Sequence, residues 1–464
     1  MFSTEEAPES YLAILPSSSE QYYDDIFLNF RINSDKRQTL GLLDALAGIC
    51  VSQAEGEAYA SAMETGPETC TIFIIGNYEE VPQVTQDYLN DVCRQLTDVA
   101  HLADATGLPK PSIADLSLKA RESINDIFIT VVSFTFDKFL SRLTKWNDPW
   151  LKRWADIDHQ LVDGAEKTKF QDLTYALNNL YEVSTSHTRR LKMVVQVLAS
   201  ISRSWNLSNP SMAAFIRGLD VHPRSDKTDV PFIIERYLQK VLKTSTEISK
   251  LIRFAVSPRR GHIFRNQPKL MFLRSEMRRV ELDIKTAVSK LERRMDVIDQ
   301  DRVFLDRFHQ TGGDDQYTCC PHCECAMLAI LLQRWKMHQR PAPIIGVSKL
   351  SCFGCRLYFI AYKTAVFQLP EIDLPDQFVV TGAHDTLYLP WVSPDLTFID
   401  PDLHTGVQQH MLISAREVSV DYVTSLRRYS ESTTSWPEEG VFPELTLSLE
   451  DIERSWMARM NIAY

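Results

Sequence analysis

Apolar residues along the chain follow two different spacings, and the changes between them divide it into segments. Within residues 37–51, leucine or isoleucine recurs at every third position from 40 to 49, which places these side chains on one side of a predicted helix. Two short strand-like runs follow at 57–64 and 70–75, and the turn residues Gly66 and Pro67 lie between them. This part of the chain therefore predicts a helix followed by two strands.

From about residue 81 to residue 310 the apolar spacing becomes helical. Prolines interrupt the region, the helix lengths are irregular and no convincing internal repeat is present, so a repeat array is not indicated. The predicted helices lie at 88–102, 113–146 with a break near the middle, 170–205, 230–256 and 269–307.

The spacing changes again after Gly313. The predicted elements are, in order, a helix at 323–337, a buried strand at 344–349, a helix at 352–366 and a strand at 378–381. They are followed by a helix around 407–428, a linker rich in Ser, Thr, Pro and Glu, and a last helix at 448–460.

Composition excludes several classes of protein. Of the 464 residues, 44% are hydrophobic, which suffices for a substantial core and is not typical of disorder. The net charge of −11 argues against a chain that coats nucleic acid along its whole length. The N-terminus has no secretion signal, and the apolar run at 326–332 is far shorter than the ~20 residues that span a bilayer. We therefore expect an intracellular protein of the cytoplasm or nucleus that does not bind a membrane.

The cysteines are concentrated in one part of the chain. Six of the nine lie within the 37 residues 319–355. An odd number of cysteines in a large intracellular chain does not indicate a disulfide scaffold. The cluster therefore indicates metal binding or catalysis.

His322, Glu324, Cys352 and Cys355 have the types and spacing of a catalytic zinc site. Such a site needs three protein ligands and one open position for water. The first turn of a helix favours thiolates and carboxylates, and both Cys-x-x-Cys and His-x-Glu come just where helices are predicted to begin. We predict that the histidine and the two cysteines bind Zn²⁺, and that Glu324 moves protons between water and substrate.

A structural zinc site is the alternative interpretation of the same residues. Cys320 and Cys323 form a second Cys-x-x-Cys, so that four cysteines could bind the metal. The 28 residues between the two pairs exceed the usual ~15–20, and this interpretation does not explain the His-x-Glu.

The same stretch resembles a known family. The runs CECAMLAILL, IGVSKLSCFGC and GAHDTLYLPW are similar to a fungal-expanded family of the nucleic-acid/nucleotide deaminase superfamily, which is cytidine deaminase-like. His-x-Glu followed by Pro-Cys-x-x-Cys is the signature of zinc deaminases, and here Ser351 replaces the proline. The resemblance implies an α/β fold with a mixed sheet of about five strands flanked by helices, and activity on a base or nucleotide.

The resemblance also implies where the front of this fold lies. Related deaminases begin with a helix and two strands, which matches 37–80. We therefore expect residues 37–80 to share one sheet with 311–428, and a large, mostly α-helical insertion to separate them. The expected segments are a polar lead-in at 1–36, the front of the deaminase domain at 37–80, a helical insertion or domain at 81–310, the zinc-site part at 311–428, and a linker and C-terminal helix at 429–464.

Three further residues are candidates for substrate binding. Asn77 follows the second strand where relatives often place an asparagine near the substrate, and His384 stands in a Gly-x-His that the resemblance places at the pocket. Tyr388 could stack on a base, as could Trp391, although aromatic residues in such a stretch are more often part of a core. An ordinary turn asparagine and loop histidine would explain the first two equally simply.

The sequence thus leaves two functions open. The first is a zinc-dependent hydrolytic deaminase that acts on a nucleobase, a nucleotide or a nucleic acid. The second is a non-catalytic interaction protein in which zinc only holds the fold and the helical block binds a protein partner. A local excess of thirteen Lys/Arg over four Asp/Glu at 250–294 could attract phosphates, but a solvated helix face explains it as well.

Overall fold

The structure of the protein is a computed structural model. It describes residues 7–13, 15, 22–23, 33–66, 69–108, 111, 113–145, 147–161, 164–186, 191–205, 209–220, 232–294, 315–384, 387–388 and 391–432.

Helices form most of the described chain, and short strands are spread among them. The helices are α1 Pro8–Leu12, α2 Ser34–Ile49, α3 Gln83–Asp104, α4 Leu118–Phe134, α5 Phe136–Lys145, α6 Asn147–Gln160, α7 Ala165–Thr185, α8 Leu191–Ser204, α9 Pro210–Asp220, α10 Ile234–Ala255, α11 His262–Arg265, α12 Ile284–Arg294, α13 Cys323–Lys336, α14 Phe353–Phe367 and α15 Pro401–Ser432. A 3-10 turn occupies Ile113–Asp115. The strands are β1 Tyr22–Tyr23, β2 Tyr59–Thr65, β3 Cys70–Gly76, β4 Lys269–Phe272, β5 Arg278–Leu282, β6 Asp315–Cys319, β7 Ile344–Val347, β8 Val379–Val380 and β9 Ala383–His384.

Five strands from distant parts of the chain form one mixed sheet. Its order is β4-β3-β2-β7-β8. The pairs β2–β3 and β2–β7 are antiparallel, whereas β3–β4 and β7–β8 are parallel. Ala60 pairs with Val347, so the front of the chain and the cysteine-rich part share this sheet, as expected. The predicted mixed sheet flanked by helices is confirmed.

The sheet separates two apolar cores. Side chains along a strand point alternately to opposite faces. Ile72 and Ile74 of β3 therefore join the core formed with α2 and the helical block, whereas Phe73 and Ile75 join the core formed with α13, α14 and α15. Each face of the sheet is thus covered by helices, and residues 323–367 pack on the face opposite the helical block.

Helix α2 lies against the middle of the sheet at very short range. A Cβ atom on Gly346 of β7 would lie 2.2 Å from the backbone carbon of Leu43. On the neighbouring strand, Ser61 donates a hydrogen bond from its hydroxyl to the Leu43 carbonyl at 2.7 Å. The Asp44 carboxylate accepts the N–H of Val347 at 2.9 Å. Small residues and direct hydrogen bonds therefore hold α2 on the β2–β7 pair.

Several predicted elements differ from the structure. A helix was predicted across 269–307, but Lys269–Phe272 is a strand that pairs with β3, and Arg278–Leu282 is a strand that pairs with β6. Pairing partners that lie far away in the chain outweigh the local helical spacing there. The polar lead-in contains the buried helix α1, which packs against α15. The predicted helix at 448–460 lies outside the described residues.

No helix among the described residues is both long enough and apolar enough to cross a lipid bilayer.

The close approach at Gly346 predicts a steric effect. Gly346→Ala should lower the free energy of unfolding by about 1–3 kcal/mol, because the added methyl group meets the α2 backbone. Gly41→Ala is the matched control: Gly41 lies in α2 with no atom near its Cβ position, so the change should raise stability by roughly 0.5–1 kcal/mol. Thermal and urea unfolding measure both effects. An unchanged midpoint for Gly346→Ala would contradict the observed contact between α2 and β7.

Candidate metal centre

His322 stands at the start of helix α13. Its backbone is extended, and its carbonyl accepts the first helical hydrogen bond, from the N–H of Ala326 at 2.9 Å. The residue is therefore the N-cap, and its imidazole extends from the positive end of the helix. Pro321 precedes it, and its ring restricts its own backbone just before the helix begins.

Cys352 and Cys355 stand in the same position at the start of helix α14. Cys352 is the N-cap, and its carbonyl accepts the N–H of Arg356 at 3.0 Å. Cys355 lies three residues further on, in the first turn, and both cysteines are buried. A spacing of three residues at a helix start brings the two sulfur atoms to the same side.

The three side chains converge on one point. His322 Nδ1 lies 3.1 Å from the Cys355 sulfur and 3.3 Å from the Cys352 sulfur, and the two sulfurs are 3.4 Å apart. Zn²⁺ binds cysteine sulfur at about 2.3 Å and histidine nitrogen at about 2.0–2.1 Å, so tetrahedral ligands lie roughly 3.5–3.8 Å apart. The observed separations are only a few tenths of an ångström shorter. Within the described chain, these residues form the one group of three potential ligands found this close together.

The protonation of the three donors also fits a cation site. Burial raises the pKa of the Cys352 and Cys355 thiols well above their usual value. Burial lowers the pKa of His322, but the hydrogen bond and charge of Cys352 outweigh it and raise that pKa to about 9. The two buried thiols therefore keep their protons near neutral pH unless a cation replaces them, which is the usual coupling of metal binding to proton release.

Glu324 lies in the first turn of α13, two residues after the histidine. Its side chain is only 6% exposed, and one carboxylate oxygen accepts a weak hydrogen bond from the Cys323 thiol at 3.4 Å. A carboxylate in the first turn is stabilised by the helix dipole. The predicted proton carrier is therefore a buried carboxylate on the same helix turn as the histidine.

The sulfur of Cys355 has one partner that the sequence did not indicate. The indole N–H of the buried Trp391 donates to this sulfur at 3.3 Å. Hydrogen bonds to a ligand atom orient it and adjust its charge. The sequence predicts Trp391 only as a stacking or core residue, and the pattern around it carries no signal of this contact.

Ser351 replaces the proline that commonly precedes the first cysteine. Its backbone N–H donates to the carbonyl of Gly382 at 3.3 Å. A proline has no N–H and could not form this bond. The serine thus ties the start of α14 to the segment that follows β8, the segment that also contains His384.

The three predicted substrate contacts have different surroundings. The Asn77 side chain accepts the N–H of Ala58 at 2.9 Å and donates to the carbonyl of Gly56 at 2.7 Å, so it holds the turn before β2. The backbone of His384 belongs to β9, which pairs with β1, and its side chain lies outside the described part of the structure. Tyr388 is 53% exposed.

The four-cysteine alternative does not match the observed contacts. The sulfur of Cys320 contacts the carbonyl of Ser275 at 3.9 Å and the sulfur of Met277 at 3.0 Å. The thiol of Cys323 points to Glu324. Neither cysteine belongs to the ligand group formed by described residues, which contains His322 instead.

Comparison with known proteins points to the same part of the chain. Residues 321–395 match a family model described as OTT_1508_deam-like deaminase, a stretch that contains Glu324 and the three potential ligands. No curated protein and no solved structure matches the chain. Over residues 321–395, the chain is thus similar to the OTT_1508_deam-like deaminases.

Proposed function

We propose that the protein is a zinc-dependent hydrolytic deaminase whose substrate contains a cytosine- or adenine-type base. The observation that carries the proposal is that the side chains of His322, Cys352 and Cys355 converge. The buried carboxylate of Glu324 lies in the helix turn that follows His322. A zinc ion with a purely structural role does not require a carboxylate next to its ligands. The match of residues 321–395 to a deaminase family supports the same reaction.

His322, Cys352 and Cys355 would hold the metal, which leaves one position of a tetrahedral site open to water. Zinc bound there supplies a Lewis acid that makes water a nucleophile near neutral pH. Glu324 accepts the proton that the water loses, and delivers protons to the ring nitrogen and to the departing amine. The water oxygen replaces the exocyclic nitrogen, which leaves as ammonia.

The surroundings of Glu324 suit this role. Its burial excludes bulk water, so a proton that it accepts passes to the substrate rather than to solvent. Asn77, His384 and Tyr388 remain the residues proposed to serve substrate binding, directly or by support of the site. The exposed ring of Tyr388 could stack on a base, whereas the Asn77 side chain would act by holding the turn at 56–58.

The metal proposal predicts about one zinc ion per chain in the purified protein. Cys352→Ser or Cys355→Ser should each abolish zinc binding, because each removes one of three ligands. Cys319→Ser is the matched control, since Cys319 lies outside the ligand group and should leave the zinc in place. Elemental analysis measures all four proteins. Absence of zinc, or its equal loss with Cys319→Ser, would refute the ligand set.

The indole contact predicts a smaller effect on the metal. Trp391→Phe removes the N–H that donates to the Cys355 sulfur and should weaken zinc binding about 10–100-fold, the range typical of outer partners of metal ligands. Trp335→Phe is the matched control, because its indole N–H donates to the Pro341 carbonyl at the far end of α13. Competition with a chelator measures the affinities. Equal affinities for the two variants would show that the sulfur contact has no effect on the metal.

The proposed role of Glu324 predicts that turnover can be lost while metal binding is kept. Glu324→Gln should keep the zinc and the fold, but lower turnover by at least ~10²–10⁴-fold, since an amide cannot carry the proton. His322→Ala should lose zinc as well. Turnover would be screened on free bases, nucleosides, nucleotides and single strands.

Wild-type turnover in a zinc-loaded Glu324→Gln protein would contradict the mechanism. Inactivity of the wild-type protein on every base-containing compound would favour the non-catalytic interaction protein.

A further inference from the structure

The N-terminal helix α1 carries a carboxylate into the interior of the protein. Glu9 lies in the first turn of α1, and its side chain is only 6% exposed. The helix itself packs against α12 and α15. A carboxylate in a buried position is costly unless other groups donate hydrogen bonds to it. The partners of Glu9 therefore indicate what it does in the fold.

Ser393 donates two hydrogen bonds to Glu9. One carboxylate oxygen, Oε1, accepts the backbone N–H of Ser393 at 3.1 Å and its hydroxyl at 2.9 Å. The hydroxyl oxygen accepts the side-chain amide of Gln408 at 2.8 Å, and the Ser393 carbonyl accepts the guanidinium of Arg278. Hydrogen bonds to an ionised acceptor are stronger than neutral ones. Ser393 is therefore held from α1, β5 and α15 at once, and Glu9 accepts both of its donors.

Arg278 also shows how the basic segment at 250–294 uses its charges. Three further arginines of the segment pair with carboxylates from other elements: Arg260 with Asp35, Arg265 with Asp104, and Arg274 with Glu80. These four cations serve contacts within the fold, so their presence is explained without a bound phosphate.

The residue that Glu9 holds is close in the chain to a partner of the metal centre. Ser393 lies two residues after Trp391, whose indole N–H donates to the Cys355 sulfur at 3.3 Å. Residues 391–396 form neither helix nor strand, so no ladder of regular backbone hydrogen bonds fixes the indole. A side chain on such a segment keeps its place through the contacts that anchor the segment. The bonds at Ser393 are such an anchor.

The indole also packs tightly on the first turn of α14. A Cβ atom on Gly354, which lies between Cys352 and Cys355, would be 3.1 Å from two ring atoms of Trp391. The ring centre lies 6.3 Å from that of Tyr358, one turn further along the helix. Closely packed groups leave little room for independent movement. The place of the indole and the place of the ligand turn are therefore coupled.

We propose that Glu9 is a positioning residue of the metal centre: it holds Ser393, and through this segment it keeps the Trp391 indole N–H on the Cys355 sulfur. Outer partners of metal ligands orient the ligand atom and adjust its charge, so Glu9 raises the affinity for zinc without contact to the metal. This inference rests on the zinc site of the proposed function and goes beyond it, because it gives the N-terminal helix a part in that site.

Zinc affinity of the full-length protein, measured by competition with a chelator, tests this role. Glu9→Ala removes both bonds to Ser393 and should weaken zinc binding about 10-fold, the lower end of the range for loss of an outer partner. Glu9→Gln keeps an oxygen that can accept both bonds, and its affinity should stay within about three-fold of the wild type. Ser10→Ala is the matched control, because this buried neighbour accepts the N–H of Asp283 instead and should leave zinc affinity unchanged.

Cobalt provides a readout that a loss of stability alone would not change. Co²⁺ in place of zinc shows a thiolate-to-metal charge-transfer absorption, and an N–H bond to the sulfur moves this band to higher energy. Glu9→Ala should therefore shift the band to longer wavelength, in the same direction as Trp391→Phe. Ser10→Ala should leave the band in place.

The double variant Glu9→Ala/Trp391→Phe shows whether Glu9 acts through the indole. If it does, the double variant should bind zinc as tightly as Trp391→Phe alone, because the effects of coupled residues do not add. Additive losses, or an equal loss with Ser10→Ala, would overturn the proposal. Unfolding midpoints verify that each variant folds. If Glu9→Ala does not fold, Ser393→Ala removes the hydroxyl and keeps the N–H bond, and should give the same shifts at smaller size.

Failure of this proposal can be distinguished from failure of the deaminase proposal. If the protein binds zinc but Glu9→Ala changes neither the affinity nor the cobalt band, the role of Glu9 is refuted and the deaminase proposal stands. If the wild-type protein binds neither metal, both are refuted. If the variants behave as expected but no base is deaminated, the role of Glu9 stands and the deaminase proposal falls.

Discussion

The backbone contact between helix α2 and strand β7 is the constraint on which the site depends. Gly346 lets the two backbones meet, and Asp44 adds a hydrogen bond to the next residue of the strand. Strand β7 follows α13 and leads into α14, so its position determines where α14 begins. His322 stands at the start of α13, and Cys352 and Cys355 stand at the start of α14. A shift of β7 by one residue would therefore move the two sulfur atoms away from the histidine.

The sheet separates the helical block from the helices that carry the potential metal ligands. One face packs against α2 and the helical block, and the other face packs against the helices that carry the potential metal ligands. The two halves still meet at the edge of the site, because Lys243 from α10 reaches the Ser348 carbonyl at the end of β7. The helical block therefore both supports the sheet and contacts the loop that leads from β7 to α14.

Burial explains the chemistry around the ligands. Thiols in an apolar environment hold their protons. A cation that displaces these protons binds two thiolates that form few bonds to other groups. The Trp391 indole N–H is one such group, since it points at the Cys355 sulfur. The Ser351 N–H, which the usual proline lacks, ties the same helix start to Gly382.

The sequence by itself determined the parts that depend on neighbours in the chain. The motifs His-x-Glu and Cys-x-x-Cys predicted the ligand group and the carboxylate, because each lies where a helix is predicted to begin. The two cysteines, three residues apart, also share one side of their helix. Short strand-like runs, two of them separated by the turn residues Gly66 and Pro67, likewise predicted β2, β3 and β7, and the resemblance implied the sheet that they share. Tertiary structure alone decided that Lys269–Phe272 is a strand, because the edge of β3 supplies the backbone hydrogen-bond partners for it. It also decided the contact between Trp391 and the Cys355 sulfur, because short-range periodicity carries no information about which segments meet.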